Sequence, residues 1–308
     1  MINRVLIRLK LIQIVYAYYQ NGDKTIKAAE KELLFSLSKA HDLYNYLLLL
    51  MVAITEFAEN RIEKSKSKLV PTPEDLNPNL KFIQNKFIAQ LAANKDLLEY
   101  KEVQKRTWGD DLNTVKEFYE LITNSTTYKK YMVSATSTYE EDKELWRKLY
   151  KNYICPSESL DETLEDMSLY WNDDKEIVDT FVLKTIKRFE EKNGADQPLL
   201  GEYKDDEDRE FAVNLFRYTI ENGDEYRSLI GKNTKNWDLD RVALMDVVLM
   251  QCALAEVNHF PNIPLNVTFN EYLDLAKLYS TQKSGSFING TLDSIVNQLT
   301  KEGKLIKN

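Results

Sequence analysis

Arg4 and Arg8 are the first residues in this sequence whose type and spacing suggest chemistry. The opening 22 residues hold Arg4, Arg8 and Lys10 and no acid. Four residues make about one helical turn, so on a helix the two guanidiniums share a face and can reach successive phosphates of one strand. Arginine's fork suits that contact better than a lysine point charge. The other end is also locally basic, with five lysines from Lys277 to Asn308 against Asp293 and Glu302. There Lys283 stands before a segment with helical spacing, and its ammonium and the opening amides are expected to form an anion site, with Phe287 as a ring for stacking.

Other chemistries find little material. The chain has two histidines, His41 and His259, and two cysteines, Cys155 and Cys252, with no CxxC pair, glycine-rich phosphate loop or GxSxG motif. Glu256 and His259 have the ExxH spacing of helical di-iron sites, but no second copy accompanies them. The acidic runs at 140–142 and 205–208 read as solvated helix starts favoured by the helix dipole. No catalytic residue, metal or cofactor is expected, and the chain is read as a binding protein.

Charge is unevenly spread. Glu158 to Glu210 holds 18 acidic and 7 basic residues of a chain whose net charge is −8, so the remainder is slightly basic. That leaves the two ends open to nucleic acid and sets the acidic stretch to repel it, or to dock a basic protein. The apolar runs at 47–55 and 242–255 fall short of the roughly 18 residues a membrane span needs. No cleavage site follows the basic opening segment, and a cytoplasmic location with no membrane contact is expected.

The elements that must position these groups are helices. Nine glycines and seven prolines in 308 residues supply too few turns for a sandwich, barrel or doubly wound sheet. Ile2, Val5, Leu9, Ile12, Tyr16 and Tyr19 predict a helix over 2–20, stopped by Asn21-Gly22-Asp23. Leu33, Leu37, Ala40, Tyr44, Leu47, Met51, Ile54 and Ala58 predict one very long helix over 24–68. Pro71, Pro73 and Pro78 mark a linker at 69–78, and further helices are expected at 79–106, 111–124 and 134–170, with a break at Cys155-Pro156 and a cap at Ser159 or Asp161. Others follow at 173–192, 205–222, 224–231, 238–259, 268–280, where Thr268 and Glu271 spell a capping box, and 285–300. Asp246, inside the apolar run 242–255, is costly to bury unpaired, and a basic partner protein or an internal Arg217 or Arg241 can satisfy it. Gly290 is expected to allow close helix packing, with Asn289 bonding across it.

The last hundred residues carry a composite motif: Trp237-Asp238-Leu239-Asp240-Arg241, an apolar helix ending at Glu256, Ile263-Pro264, Asn270-Glu271, Leu275-Ala276-Lys277, and Phe287-Ile288-Asn289-Gly290 followed by Leu292-Asp293. In order and spacing it resembles the C-terminal half of the NusB family of transcription antitermination factors. Arg4 to Gln20, with Gln13 and Tyr16, is similar to that family's first helix. Val5 and Leu6 stand where more basic residues are common there, and the chain is about twice the family's usual length.

The resemblance implies an all-α, NusB-like bundle of two helical subdomains, here with an inserted helical region: an N-terminal part at 1–68, the insertion at 69–204 and the C-terminal subdomain at 205–308. It implies binding of boxA-like single-stranded RNA with the NusE-type small-subunit ribosomal protein in the transcription elongation complex of rRNA operons, and no catalysis. Carried over by position, Arg4, Arg8 and the loop Thr281, Gln282, Lys283, Ser284 to Phe287 fall at RNA contacts, and Tyr16 and Asp246 face the ribosomal protein. The rival expectation is a helical scaffold that has lost RNA recognition and binds only proteins.

Overall fold

A computed structural model describes residues 1–22, 25–104, 106–136, 138–234 and 242–305. The motif residues Trp237 to Arg241 lie outside the described residues. The described chain is all-α: its β-structure is a single isolated bridge between Ile2 and Tyr203. It divides into two compact units, one of Ile2–Ser38 with Glu202–Asn308, the other of Lys39–Gly201 with Met1.

The first unit is built around α13 (Leu244–His259), which is apolar on every face and buried from Asp246 to Val257. A helix of that composition has no face to offer water and must be surrounded. Packed on it are α1 (Arg4–Asn21), α11 (Asp206–Glu221), α12 (Gly223–Asn233), α14 (Leu265–Tyr279) and α15 (Ser284–Lys301). Asn3 caps α1 by accepting from the Leu6 amide at 2.9 Å, and Gly22, at φ +59°, ends it in the left-handed region that glycine enters without penalty.

The α1 pattern departs from the sequence reading. Leu6 to Ile12, Ile14 and Val15 are all buried, including Arg8 and Lys10, while Val5 is exposed. The helix lies between α11, α13 and α14, so it has no wide solvated face. Helix α14 also starts earlier than its capping box suggested, at Leu265 behind Pro264, which places Thr268 inside the helix with its side chain free for a tertiary bond. Gly290 meets nothing within 4 Å of where a Cβ would sit, and Asn289 bonds along its own helix, its Nδ2 donating to Asp293 at 3.2 Å.

Gly223, at the start of α12, does carry a steric demand. An added Cβ would lie 2.7 Å from the Tyr19 hydroxyl and 3.3 Å from Nε2 of Gln251, and that Nε2 already donates to both the Tyr19 hydroxyl and the Gly223 carbonyl. Gly223→Ala is therefore expected to cost about 1–3 kcal/mol through overpacking, read as a lowered midpoint in urea denaturation.

Helix α2 (Ile26–Lys66) is the long helix expected from periodicity, and all eight apolar positions from Leu33 to Ala58 that predicted it are buried. Residues 26–38 belong to the first unit and the rest to the second. In the second unit Tyr44 shares a 2.6 Å bond with Thr185, and Trp108 stacks on Tyr46 at 4.3 Å while its indole N–H donates to the Tyr46 carbonyl. The other helices of this unit are α3 to α10: Pro73–Leu76, Lys86–Ala92, Lys95–Val103, Leu112–Asn124, Thr126–Val133, Tyr139–Leu149, Glu158–Met167 and Lys175–Arg188. The expected break at Cys155-Pro156 follows one π turn, Tyr150–Ile154, and the cap of the next helix is Ser157 rather than Ser159 or Asp161. That turn places the Tyr150 hydroxyl 2.6 Å from Asp179, where Lys175 also reaches at 3.1 Å.

Among the described residues no helix is long and apolar enough to cross a membrane.

Candidate nucleic-acid interface

The first unit brings the two sequence-predicted clusters onto α1, α14 and α15, and it treats the two arginines of α1 very differently. Arg8 is inside. Its guanidinium, 3% exposed, donates through Nε and Nη2 to both oxygens of Glu256, each at 2.8 Å, and Glu256 is fully buried. The Thr268 hydroxyl donates to the same carboxylate at 2.7 Å, the Tyr272 hydroxyl lies 3.4 Å from it, and Glu271 approaches Arg8 at 3.3 Å. Burial works against the charge on Arg8, and the hydrogen bond and field of Glu256 outweigh it, so its pKa rises above the ordinary value. The two arginines thus do not present a shared phosphate-facing surface, because Arg8 spends its fork on an internal carboxylate.

Arg4 stays at the surface, 35% exposed, and lies over the Phe211 ring at 4.9 Å. It donates to Glu207 at 2.7 Å and lies 3.7 Å from Asp208, both in the first turn of α11. Burial and the neighbouring Asp205 raise the pKa of Asp208, with Arg4 opposing them. The cation is available to a ligand only in exchange for these carboxylates.

The loop between α14 and α15 is the second cluster. Thr281, Gln282 and Lys283 are exposed and Phe287 is half-buried, neither sealed in the core nor fully open. Beneath them Ser284 is buried, and its hydroxyl donates to Oδ2 of Asp246 at 2.8 Å while Ser280 donates to Oδ1. Thr281 and Ser284 share a further bond at 2.9 Å. Asp246, 6% exposed, is thus satisfied by loop hydroxyls. Of the internal cations considered for it, Arg217 is instead bonded to Glu30 at 2.6 Å, and Arg241 lies outside the described residues. Tyr16 is half-buried on α1, its hydroxyl accepting from Gln20 at 3.1 Å, and Gln13 donates to the Tyr279 hydroxyl at 2.8 Å.

The spacing that suggested ExxH does not assemble a metal site. Glu256 is committed to Arg8, and His259 stacks on Tyr218 at 3.8 Å with the rings 9° from parallel. Sequence reasoning missed Glu256, Thr268 and Tyr272 as the groups that fix Arg8. Their one legible signal was an acid inside an apolar helix, the same signal that singled out Asp246.

Comparison with known proteins bears on this unit. The transcription antitermination protein NusB of Salinibacter ruber is 38% identical over 132 residues, which span 41% of this chain and 82% of that protein. This chain belongs to the NusB family. The NusB family model matches residues 180–297. NusB proteins of Chloroherpeton thalassium and Koribacter versatilis are 36% and 37% identical over 99 and 100 residues, covering 47% and 68% of their lengths. No solved structure matches the chain. The NusB match thus takes in the end of α10, α11 to α14 and most of α15, including Glu256, and Asp246 with the loop it supports.

Proposed function

We propose that this NusB-family chain is a transcription antitermination factor that binds boxA-like single-stranded RNA together with the NusE-type ribosomal protein in rRNA operon transcription. The observation that carries the reading is the loop Thr281 to Phe287: exposed hydroxyl, amide and ammonium groups beside a half-buried ring, anchored from below by Asp246. That set suits a single strand, whose phosphates take the ammonium and whose unstacked bases take a ring and neutral donors. Arg4 is the second phosphate contact, and Arg8 supports it from within by fixing α1. Tyr16 faces the protein partner, and Asp246 acts on that partner and on RNA through the loop it holds. In this reading the unit of Ile2–Ser38 with Glu202–Asn308 is the binding body, and the region 69–204, expected as an insertion, carries much of the acidic stretch that keeps RNA at the basic ends.

The engagement of Arg4 by Glu207 and Asp208 favours a second reading, a helical scaffold without RNA recognition. The two separate in fluorescence anisotropy with a boxA-containing leader oligonucleotide and a scrambled control, with and without the ribosomal protein. Selective binding strengthened by the protein is the expected result, and absence of binding in every mixture supports the scaffold. The double change Glu207→Gln with Asp208→Asn is expected to tighten RNA binding about fivefold by freeing Arg4, and to have no such effect in an Arg4→Ala background.

A further inference from the structure

Beside the Thr281–Phe287 loop, α14 and α15 border a groove of about 680 Å³. Its lining is unusual in what it leaves unused. The side chains of Asn270, Gln282 and Ser286 have no hydrogen-bond partner among the described residues, and Asn289 commits only its Nδ2, to Asp293. Lys277 also lines the groove, paired with Asp274 at 2.6 Å, and both side chains are about three-quarters exposed. Such a pair is weak, so Lys277 can exchange its partner for another anion at little cost.

The chemistry of this set narrows the ligand. A site for a simple anion would be built on cations, and a cation site on convergent carboxylates. Here the one cation and the one carboxylate in the lining, Lys277 and Asp274, are paired with each other, and the remaining available groups are neutral, three carboxamides and a hydroxyl, each of which offers both a donor and an acceptor. A carboxamide matches the donor and acceptor edge of a base, and unpaired bases present those edges when they are splayed from a single strand. The groove is continuous with the loop through Gln282, so a strand whose phosphate meets Lys283 has its neighbouring base within the same surface.

We propose that this groove takes an unstacked nucleobase of a bound single strand and reads its edge with Asn270, Gln282, Ser286 and Asn289, while Lys277 holds the adjoining phosphate. The inference rests on the RNA reading above and deepens it by naming the groove and the side chains that read one base.

Its test is anisotropy on the full chain, using the boxA-containing leader oligonucleotide and a series in which each nucleotide in turn is made abasic. The wild type is expected to lose about tenfold in affinity at one or two abasic positions. In the triple variant Asn270→Ala, Ser286→Ala, Asn289→Ala, those positions should cost nothing further, and the salt dependence should remain. Lys277→Ala should instead weaken binding evenly across the series and flatten the salt slope by about 0.7. The altered side chains line a solvent-open groove, and an unchanged far-UV circular dichroism melt checks that the fold is kept. A triple variant that retains the full abasic penalty overturns the groove assignment and leaves the RNA reading standing. Loss of ribosomal-protein binding by that variant with abasic penalties intact also overturns it, assigning the groove to a peptide. Absence of oligonucleotide binding by the wild type overturns the RNA reading itself.

Discussion

Replacing Arg8 by alanine is expected to lower stability by about 3–5 kcal/mol, a large share of the 5–15 kcal/mol that holds a typical domain together. The reason is the carboxylate left behind. Glu256 is fully buried, and without Arg8 its charge loses a bidentate cationic partner, while the hydroxyls of Thr268 and Tyr272, at 2.7 and 3.4 Å, are neutral and do not replace that charge. Glu256→Gln tests the same lock from the other side, leaving a buried guanidinium whose remaining carboxylate is the partly exposed Glu271 at 3.3 Å. The pair need not be net stabilising over an apolar pair of the same shape. The double change Arg8→Met with Glu256→Gln should therefore cost less than the two single changes added together. Urea denaturation followed by circular dichroism reads all three. A loss of under about 1 kcal/mol for Arg8→Ala would show that the buried pair is not what fixes α1 against α13.

The second large effect is on RNA. The surface cations proposed for the interface are Arg4, Lys277 and Lys283, and a single strand neutralised by three cations should show log affinity falling with log salt at a slope of about −2. Between 50 and 200 mM salt that slope is a loss of about 20-fold. Arg4→Ala should flatten the slope by about 0.7, whereas a conservative change at Arg8 should leave it alone, because the Arg8 fork faces Glu256 and not solvent. Anisotropy at four or more salt concentrations measures this. A slope that falls equally for changes at both arginines would place Arg8 on the strand after all.

The difference between those arginines also marks where sequence reading stops. Helical periodicity is local: it needs only the chain's own spacing, so α2 and its eight buried positions, the end of α1 at Gly22 and the break before Pro156 could all be read in advance. The same periodicity misjudged α1, since a helix enclosed by three others buries residues on nearly every side and leaves no stripe to detect. The early start of α14 was hidden for a related reason: Thr268 has the residue type of a cap, but its hydroxyl is drawn to a carboxylate 12 residues earlier in the chain.

By itself the sequence determined that this is an all-α chain, where most of its helices run, and that its last hundred residues carry the motif of the NusB family. The tertiary structure decided which charges remain available for binding. Arg4 and Arg8 are the same residue type one turn apart, yet the packing of α13 and α14 gives one a buried carboxylate while α11 gives the other a displaceable one. Spacing along a helix sets which side chains share a direction, but the energy of a charge depends on what lies in that direction, and only the folded neighbours supply it.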